Sequence, residues 1–254
     1  MGEVASMVDD TPDWLRRMWR LPEPEARRGR PAGLTTDRVV DTAVQLADRG
    51  GLDAATLPKV AKALDVTAMS LYRHVGSKRE LVELMVDYAT SPPPPADTGD
   101  GDWRTALADW AQALWDLYGA RPWLLRAPIH GAPSGPSQLA WLEQALAAFS
   151  HTDLSAKEKV MYAMLVSGYV RQSALMSHDL GEGLDDSETQ SEREHRYGHD
   201  MLGLIDRARF PELSALFESD AFDQPVVPTE TTLRKDFRDG LDTILDGIAR
   251  RVER

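Results

Sequence analysis

Several features that define common protein classes are missing from this sequence. It contains no cysteine, which excludes disulfides, thiol nucleophiles and cysteine-ligated zinc sites. No stretch approaches the roughly 18 consecutive apolar residues that a membrane-spanning helix needs. The N-terminus has neither the basic start nor the apolar run of a secretion signal. We therefore expect a cytoplasmic protein that does not contact membranes.

Sequence signatures of enzymes are missing as well. There is no glycine-rich phosphate loop and no nucleophile elbow. Strand-type alternation and internal repeats are also absent, whereas apolar residues recur at helical spacing through most of the chain. The sequence therefore predicts an all-α protein that is not an enzyme and needs no cofactor.

Positive charge is scarce in the whole chain but is not spread evenly. The chain carries 29 Lys and Arg against 41 Asp and Glu, a net charge of −12. Residues 14–90 nevertheless hold thirteen Lys and Arg against ten Asp and Glu. Most of the acidic surplus lies after residue 90, so the net charge does not exclude a polyanion as partner of the N-terminal third.

Proline and glycine divide the chain into four segments. They interrupt residues 1–33, which we expect to form an irregular N-terminal arm, although residues 14–20 are compatible with a short helix. Residues 34–90 are predicted to form a helical domain. The stretch SPPPPADTGDGD, residues 91–102, is a proline-rich linker. Residues 103–254 are predicted to form a second, entirely helical domain.

The order of helices in the first domain matches a helix-turn-helix. A first amphipathic helix starts near Thr36 and ends at a Gly-Gly pair. Two short helices follow, one capped by Thr56 and one over residues 67–74, and a tight turn joins them. A fourth helix starts at Ser77, where Glu80 completes the pattern of a capping box.

The third helix carries small, hydroxyl and basic residues on the face that points away from the apolar core. Short side chains at its start let a helix lie deep in a major groove, and longer polar side chains reach the phosphates beside it. Threonines at the starts of the first two helices favour phosphate. The candidate DNA contacts are Thr36, Thr56, Thr67, Ala68, Ser70, Tyr72, Arg73, His74 and Lys78. The alternative is a plain polar face on a small helical subdomain.

Residues 36–88 closely resemble the DNA-binding domain of the TetR (tetracycline repressor) family of bacterial transcription factors. The specific part is the pattern L-Y-x-H-V followed by a lysine, here Leu71, Tyr72, His74, Val75 and Lys78. The resemblance implies that Tyr72, His74 and Lys78 hold phosphates. It also implies that bases are met by Thr67, Ala68, Met69, Ser70 and Arg73. Ala68 and Met69 differ from the tetracycline-responsive members, so no operator sequence is implied.

A basic motif in the arm points to a second DNA contact. The stretch EARRGRPAGL contains an Arg-Gly-Arg-Pro core that resembles AT-hook peptides. An extended Arg-Gly-Arg segment fits a narrow A·T minor groove, whose potential attracts guanidinium groups. We therefore expect Arg27, Arg28 and Arg30 to bind the minor groove. The alternative is a solvated tail.

Two long helices of the second domain are candidates for a dimer interface. The segments near residues 155–177 and 231–252 each have a broad apolar stripe with small residues that permit close approach. One recognition helix makes too few contacts for specificity, which favours a homodimer on double-stranded operator DNA with matched half-sites. The TetR resemblance implies a four-helix dimer bundle. The alternative is that both stripes pack inside one chain.

Aromatic residues are concentrated at the start of the second domain. Five tryptophans fall within residues 103–141, and tyrosines follow. Aromatic walls with a few polar groups suit a flat, drug-sized ligand, although aromatic residues at helical spacing are more often core. The candidate ligand contacts are Trp110, Trp115, His130, Gln138, Trp141, Tyr162, Tyr169 and Gln172.

One cluster of metal-ligand residue types lies near an acidic stretch. In ETQSEREHRYGHD, Glu192 and His195 are three residues apart, His195 and His199 are four apart, and Asp200 follows. Helical spacing places two imidazoles and a carboxylate near one face. Because such spacing is common on solvated helices, we expect no metal here.

The leading hypothesis is a ligand-responsive transcriptional repressor. A homodimer binds operator DNA and leaves it when a small-molecule effector binds the second domain. The effector is expected to be an antibiotic-like or hydrophobic compound, and the controlled gene an exporter. One alternative is a helical metal-dependent enzyme built on the histidine cluster. Another is a DNA-binding regulator without a small-molecule ligand.

Overall fold

The computed structural model describes residues 11–21, 34–95, 102–182, 190–219 and 230–253. Within these ranges the regular secondary structure is helical, as the all-α prediction requires. None of these helices is both long enough and apolar enough to cross a bilayer. The three arginines of the basic motif, Arg27, Arg28 and Arg30, lie outside the described residues, as does the centre of the proline-rich linker.

The N-terminal third contains the predicted helix-turn-helix. Its helices are α1 (Asp13–Met18), α2 (Thr36–Gly50), α3 (Leu57–Ala63), α4 (Ala68–Val75) and α5 (Lys78–Thr90), with a 3-10 turn at Leu52–Ala54. Helices α3 and α4 are the two short helices, and both contact α2. Helix α5 packs along α2 and also contacts α4, so the helix-turn-helix is held between two longer helices.

The remaining helices follow the proline-rich linker. They are α6 (Trp103–Ala120), α7 (Trp123–Arg126), α8 (Pro136–Ala148), α9 (Ala156–Glu182), α10 (Gln190–Leu204), α11 (Pro211–Glu218) and α12 (Glu230–Val252). The chain forms two compact units. One comprises Met1–Ala174 with Ala249–Arg254, and the other comprises Leu175–Ile248.

The core of the first unit is built from the helical stripes of α2, α4 and α5. The residues that are fully buried there include Val39, Val40, Ala43, Leu71, Val75, Leu81 and Met85. Each of the valine, leucine and methionine side chains contributes about 1.5–3 kcal/mol on leaving water. Their spacing of three and four residues explains why the three helices were predictable from periodicity.

The prolines of the linker end α5, but residues before and after the linker still pack against each other. Trp123 and Leu124 of α7 belong to the same buried core as the helix-turn-helix. Trp141 of α8 donates its indole N–H to the carbonyl of Ser91, just after α5, at 2.8 Å. The first compact unit therefore includes the helix-turn-helix together with α6, α7, α8 and the first part of α9.

Helix α1 lies within the arm, the rest of which was expected to be irregular. Residues 14–20 were compatible with a short helix, and the structure forms one over Asp13–Met18. Met18 is buried in the core of the first unit, and Arg16 is buried too. Six residues are too few to show helical periodicity, and contacts with distant residues stabilise this helix.

Hydroxyl side chains cap α2 and α5 at the helix starts that the sequence predicts. Thr35 caps α2, because its hydroxyl accepts from the N–H of Arg38 at 3.2 Å, and Thr36 is already helical. Ser77 caps α5 as expected, accepting from the N–H of Glu80 at 3.0 Å. The carboxylate of Glu80 pairs with Arg17 of α1. In a capping box the Glu80 side chain would turn back to the backbone N–H of Ser77. Here the ion pair with Arg17 holds that side chain instead.

The two proposed dimer helices differ in what they expose. In α12 the apolar stripe is buried within the chain, and Phe237, Leu241, Leu245 and Ile248 are its enclosed members. In α9 the residues Met161, Met164 and Leu165 are exposed. These four residues of α12 therefore pack inside one chain, which was the alternative to a dimer interface. Helix α9, in contrast, keeps an exposed apolar surface.

Candidate DNA-binding surface and effector region

Helix α4 has one face in the core and one face in solvent. Leu71 and Val75 are fully buried, which fixes the helix against α2 and α5. On the opposite side Met69 is 75% exposed and Tyr72 is 47% exposed. Arg73 is exposed as well. This orientation presents the middle of α4 to a partner outside the chain.

The start of α4 is organised by two hydroxyls. Thr67 is the N-cap, and its hydroxyl accepts from the N–H of Ser70 at 3.3 Å. The Thr67 and Ser70 hydroxyl oxygens lie 2.9 Å apart and share a hydrogen bond. Thr67 is exposed, whereas Ala68 and Ser70 are half-buried. One O–H of the pair and its remaining lone pairs are still available for a contact outside the chain.

The end of α4 is fastened to its neighbours through backbone groups. Thr36 donates its hydroxyl to the carbonyl of His74 at 3.2 Å, so this hydroxyl joins α2 to α4. The helix stops at Gly76, whose φ of 58° favours glycine. A Cβ there would lie 2.2 Å from Oε2 of Glu80. The tight turn places Lys78 in solvent directly beyond the recognition helix.

The structure brings most of the candidate DNA contacts onto one segment. Thr67, Met69, Tyr72, Arg73 and Lys78 are exposed along α4 and the turn that follows it, while His74 is half-buried. The half-buried Thr56 is the N-cap residue of α3, and its side chain makes no capping hydrogen bond. Thr36 is the exception, since its hydroxyl has an internal role.

Two family models cover most of the chain. The model for bacterial regulatory proteins of the tetR family matches residues 39–85, and the model for the tetracyclin repressor-like C-terminal domain matches residues 94–252. The chain belongs to the TetR family. Members of this family are DNA-binding transcription factors, so the metal-dependent enzyme alternative is excluded.

Relatives of this TetR-family chain include regulators from actinomycetes. The HTH-type transcriptional repressor DrrR1 of Streptomyces coeruleorubidus is 34% identical over 97% of this chain and 86% of its own length. An HTH-type transcriptional regulator of Saccharopolyspora erythraea is 29% identical over 60% of this chain and 64% of its own. The crystal structure of the Streptomyces coelicolor TetR family protein ActR in complex with actinorhodin has a TM-score of 0.69. It shares 25% identity and covers 88% of this chain and 100% of that one.

The aromatic candidates in the effector region are centred on Trp110 and Trp141. Their rings meet edge to face with centroids 6.1 Å apart, and both side chains are buried. Trp110 donates its indole N–H to the carbonyl of Trp141 at 2.9 Å, and Trp141 donates its own to Ser91. The pair joins α6, α8 and the end of α5, and both indole donors are already occupied.

The other candidate ligand contacts are spread over the unit. Tyr162 is buried with its ring centroid 6.1 Å from that of Phe149, and Trp115 and Tyr169 are half-buried. Gln138 accepts from the N–H of Ser134 at 3.4 Å, and Nδ1 of His130 lies 3.6 Å from a carboxylate oxygen of Glu83 on α5. Gln172 is exposed on α9.

One buried acceptor in this region has no partner. Gln144 of α8 donates its amide N–H to the carbonyl of Pro94 at 2.6 Å. Its Oε1 is buried and accepts no hydrogen bond. A buried acceptor of this kind is costly unless a water or a ligand donor completes it.

A half-buried tyrosine, Tyr118, and an arginine, Arg171, lie beside α7. Arg171 donates to the carbonyls of Leu124, Leu125 and Ala127 at 3.3, 2.6 and 3.2 Å. It thereby satisfies carbonyls at the C-terminal end of this short helix. Burial raises the pKa of the Tyr118 phenol, and the charge of Arg171 opposes that rise.

The histidine cluster is only partly described. His199 is highly exposed, and its Nδ1 lies 3.6 Å from Oδ1 of Asp200. The side chains of Glu192 and His195 lie outside the described residues. Among the side chains that the structure does describe, no three or more metal-ligating groups come together.

The contact that sequence reasoning missed is a buried carboxylate on α5. Asp87 is buried, and its Oδ1 accepts from the N–H groups of Ser137 and Gln138 at 2.9 and 3.1 Å. It thus caps the start of α8 from a neighbouring helix. A Cβ on Gly135 would lie only 2.1 Å from the same oxygen. The available signal was an acid within the apolar stripe of α5.

Burial raises the pKa of Asp87, and its two backbone hydrogen bonds and the charge of Arg20 oppose that rise. The folded protein therefore binds the proton more tightly than the unfolded chain. Stability from this protonation is present below the ordinary value of 3.8 and is lost as the pH rises through the raised pKa.

We predict that Asp87→Asn and Asp87→Ala have opposite consequences. Asparagine keeps an acceptor for both N–H groups without the buried charge, so the free energy of unfolding at pH 7 should equal or exceed that of the wild type. Alanine leaves both N–H groups unpaired and should cost about 1–3 kcal/mol. Urea unfolding measures both, and any advantage of asparagine should shrink at pH 4. A wild type clearly more stable than Asp87→Asn at pH 7 contradicts this assignment.

We predict that Lys78→Ala weakens binding to all duplexes by a similar factor, as expected if the exposed ammonium group contacts phosphate. The slope of log K against log salt should fall by about 1. Met69→Ala is the matched comparison on the same surface and should change the ranking of sites. Fluorescence anisotropy titrations on several duplexes measure both effects. Losses from Lys78→Ala that depend on sequence contradict a phosphate contact.

Proposed function

We propose that this protein is a transcriptional repressor that binds operator DNA as a homodimer and releases it when a small-molecule effector binds. The observation that carries the proposal is the orientation of α4. Leu71 and Val75 anchor it, and Met69, Tyr72 and Arg73 face solvent on its other side. The naming of its relative DrrR1 as a repressor supports the direction of control.

In this proposal the side chains divide between phosphates and bases. Phosphates are held by Tyr72, His74 and Lys78, with Thr56 at the start of α3. Bases are met by Thr67, Ala68, Met69, Ser70 and Arg73, which occupy α4 and its cap. Phosphate contacts set position and base contacts set specificity. The motif Arg27, Arg28 and Arg30 is proposed to add a minor-groove contact beside the half-site.

The apolar surface of α9 is the proposed dimer interface. Met161, Met164 and Leu165 are exposed on one side of the helix. Gly168, one turn further on, has open space where a side chain would be. In a dimer with a two-fold axis beside this surface, the same surface of the second chain covers it. This arrangement fits matched half-sites about 34–36 Å apart or a multiple of that. The stripe of α12 is already buried, so α12 is left to contribute its outer side, where Gly247 is open.

We predict that one substitution at two methionines separates the two surfaces. Met164→Glu places like charges across the two-fold axis and should convert the dimer to monomer in light scattering coupled to size exclusion. Met69→Glu is the matched control, since Met69 is 75% exposed against 67% for Met164. It should remain a dimer but lose DNA binding through repulsion from phosphate. A Met164→Glu protein that stays dimeric contradicts the α9 interface.

The effector is proposed to bind near the aromatic residues of α6 and α8. ActR binds actinorhodin in a structure that this chain resembles over most of its length. Trp110 and Trp141 supply ring surface, and the unpaired Oε1 of Gln144 supplies an acceptor. A flat aromatic compound with a hydrogen-bond donor fits this chemistry. The controlled gene is proposed to encode an exporter of that compound. Inspection of the neighbouring reading frames for an exporter gene tests this proposal.

We predict that saturating effector lowers operator affinity by about 5- to 150-fold, the usual range of coupling between two sites. Actinorhodin is the first probe, followed by other aromatic antibiotics. DNA release is measured by anisotropy and binding by the shift in melting temperature. If none of these compounds releases DNA or shifts melting, a regulator without a small-molecule effector is the better description.

A further inference from the structure

Helix α1 is an addition to the regions that define the family in this chain. The two family models match residues 39–85 and 94–252, whereas α1 spans Asp13–Met18. Yet α1 contacts both the recognition helix α4 and helix α5, and Met18 is part of their core. A segment outside both matched regions is therefore built into the DNA-binding domain.

Helix α1 contacts the turn between the recognition helix α4 and helix α5. Arg17 forms a two-pronged ion pair with Glu80, with Nη2 and Oε2 2.9 Å apart. The Glu80 side chain is only 9% exposed. A Cβ on Gly76 would lie 2.8 Å from Nη2 of Arg17 and closer still to Glu80. The ion pair therefore fills the space beneath the turn between α4 and α5.

The residue that follows helix α1 contacts the loop that precedes α8. Trp19 follows α1 directly and donates its indole N–H to the carbonyl of Ser134 at 2.9 Å. Asp87 holds the start of the same α8 from the other side, through Ser137 and Gln138. The loop and the start of α8 are therefore each tied to the DNA-binding domain by a separate contact.

We propose that residues 13–20 act as a brace that couples the loop before α8 to the recognition helix, with Trp19 as the positioning residue. Movement of the loop pulls on Trp19, and Arg17 transmits it to Glu80 and the turn at Gly76. The brace thus adds a second route from the effector region to DNA, beside α5 and its Asp87. The inference rests on the proposed function as an operator-binding regulator.

Trp19 is suited to a test because its hydrogen bond can be removed while an aromatic ring is kept. The residue is 44% exposed, so Trp19→Phe loses the N–H donor and the five-membered part of the indole but keeps a phenyl ring at the same place. The carbonyl of Ser134 then bonds to water, because the site is exposed. Trp14→Phe is the matched control on α1, since Trp14 is 36% exposed and has no such bond to Ser134.

The experiment compares amide hydrogen exchange in the wild type, Trp19→Phe and Trp14→Phe, with and without a duplex from upstream of the protein's own gene. In the wild type and in Trp14→Phe, DNA should slow exchange in the peptide over residues 127–138. In Trp19→Phe that slowing should be lost, and DNA affinity should fall by about 2- to 10-fold, the equivalent of one hydrogen bond. Melting temperatures of the three proteins should agree within about 2 °C.

Three results overturn the brace. One is a loop that responds to DNA equally in Trp19→Phe and Trp14→Phe, and another is a wild-type loop that does not respond to bound DNA. The third is a fall in melting temperature that accounts for the loss of affinity, which assigns Trp19 to stability alone. Failure of the wild type to bind any duplex contradicts the proposed function itself and is seen before exchange is measured.

Discussion

The arrangement of the first unit depends on one buried carboxylate between two helices. Asp87 gives up much of its hydration to accept two backbone N–H groups at the start of α8. Those N–H groups have no partner within their own helix. Opening the contact would therefore leave both the carboxylate and the N–H groups without their hydrogen bonds. Because α5 also packs on the recognition helix, the positions of α8 and α4 are set by a shared neighbour.

Periodicity predicted the parts of the fold that depend on local pattern. The stripes of α2 and α5, and the short helix with Leu71 and Val75 inward, follow from residues three and four apart. The exposed face of α4 then follows from the same spacing. The start of α2 near Thr36 was predicted correctly, and the backbone conformation makes the preceding residue, Thr35, its N-cap.

Contacts between distant residues could not be predicted in this way. Arg17 and Glu80 are 63 positions apart, and Trp19 and Ser134 are 115 apart. A single sequence offers no spacing rule for such pairs. The same limit applies to apolar stripes, because one pattern describes both the buried stripe of α12 and the exposed stripe of α9. Only the packed chain shows which surface is left for a partner.

Gly135 has a backbone conformation that any residue can adopt, with φ of −83°. Its lack of a side chain is therefore a matter of room alone, since a Cβ would overlap the Asp87 carboxylate. One methyl group at this position is a permanent wedge between α5 and α8. Such a wedge acts without any bound compound, so under the proposed mechanism a residue other than glycine here is expected to weaken operator binding permanently.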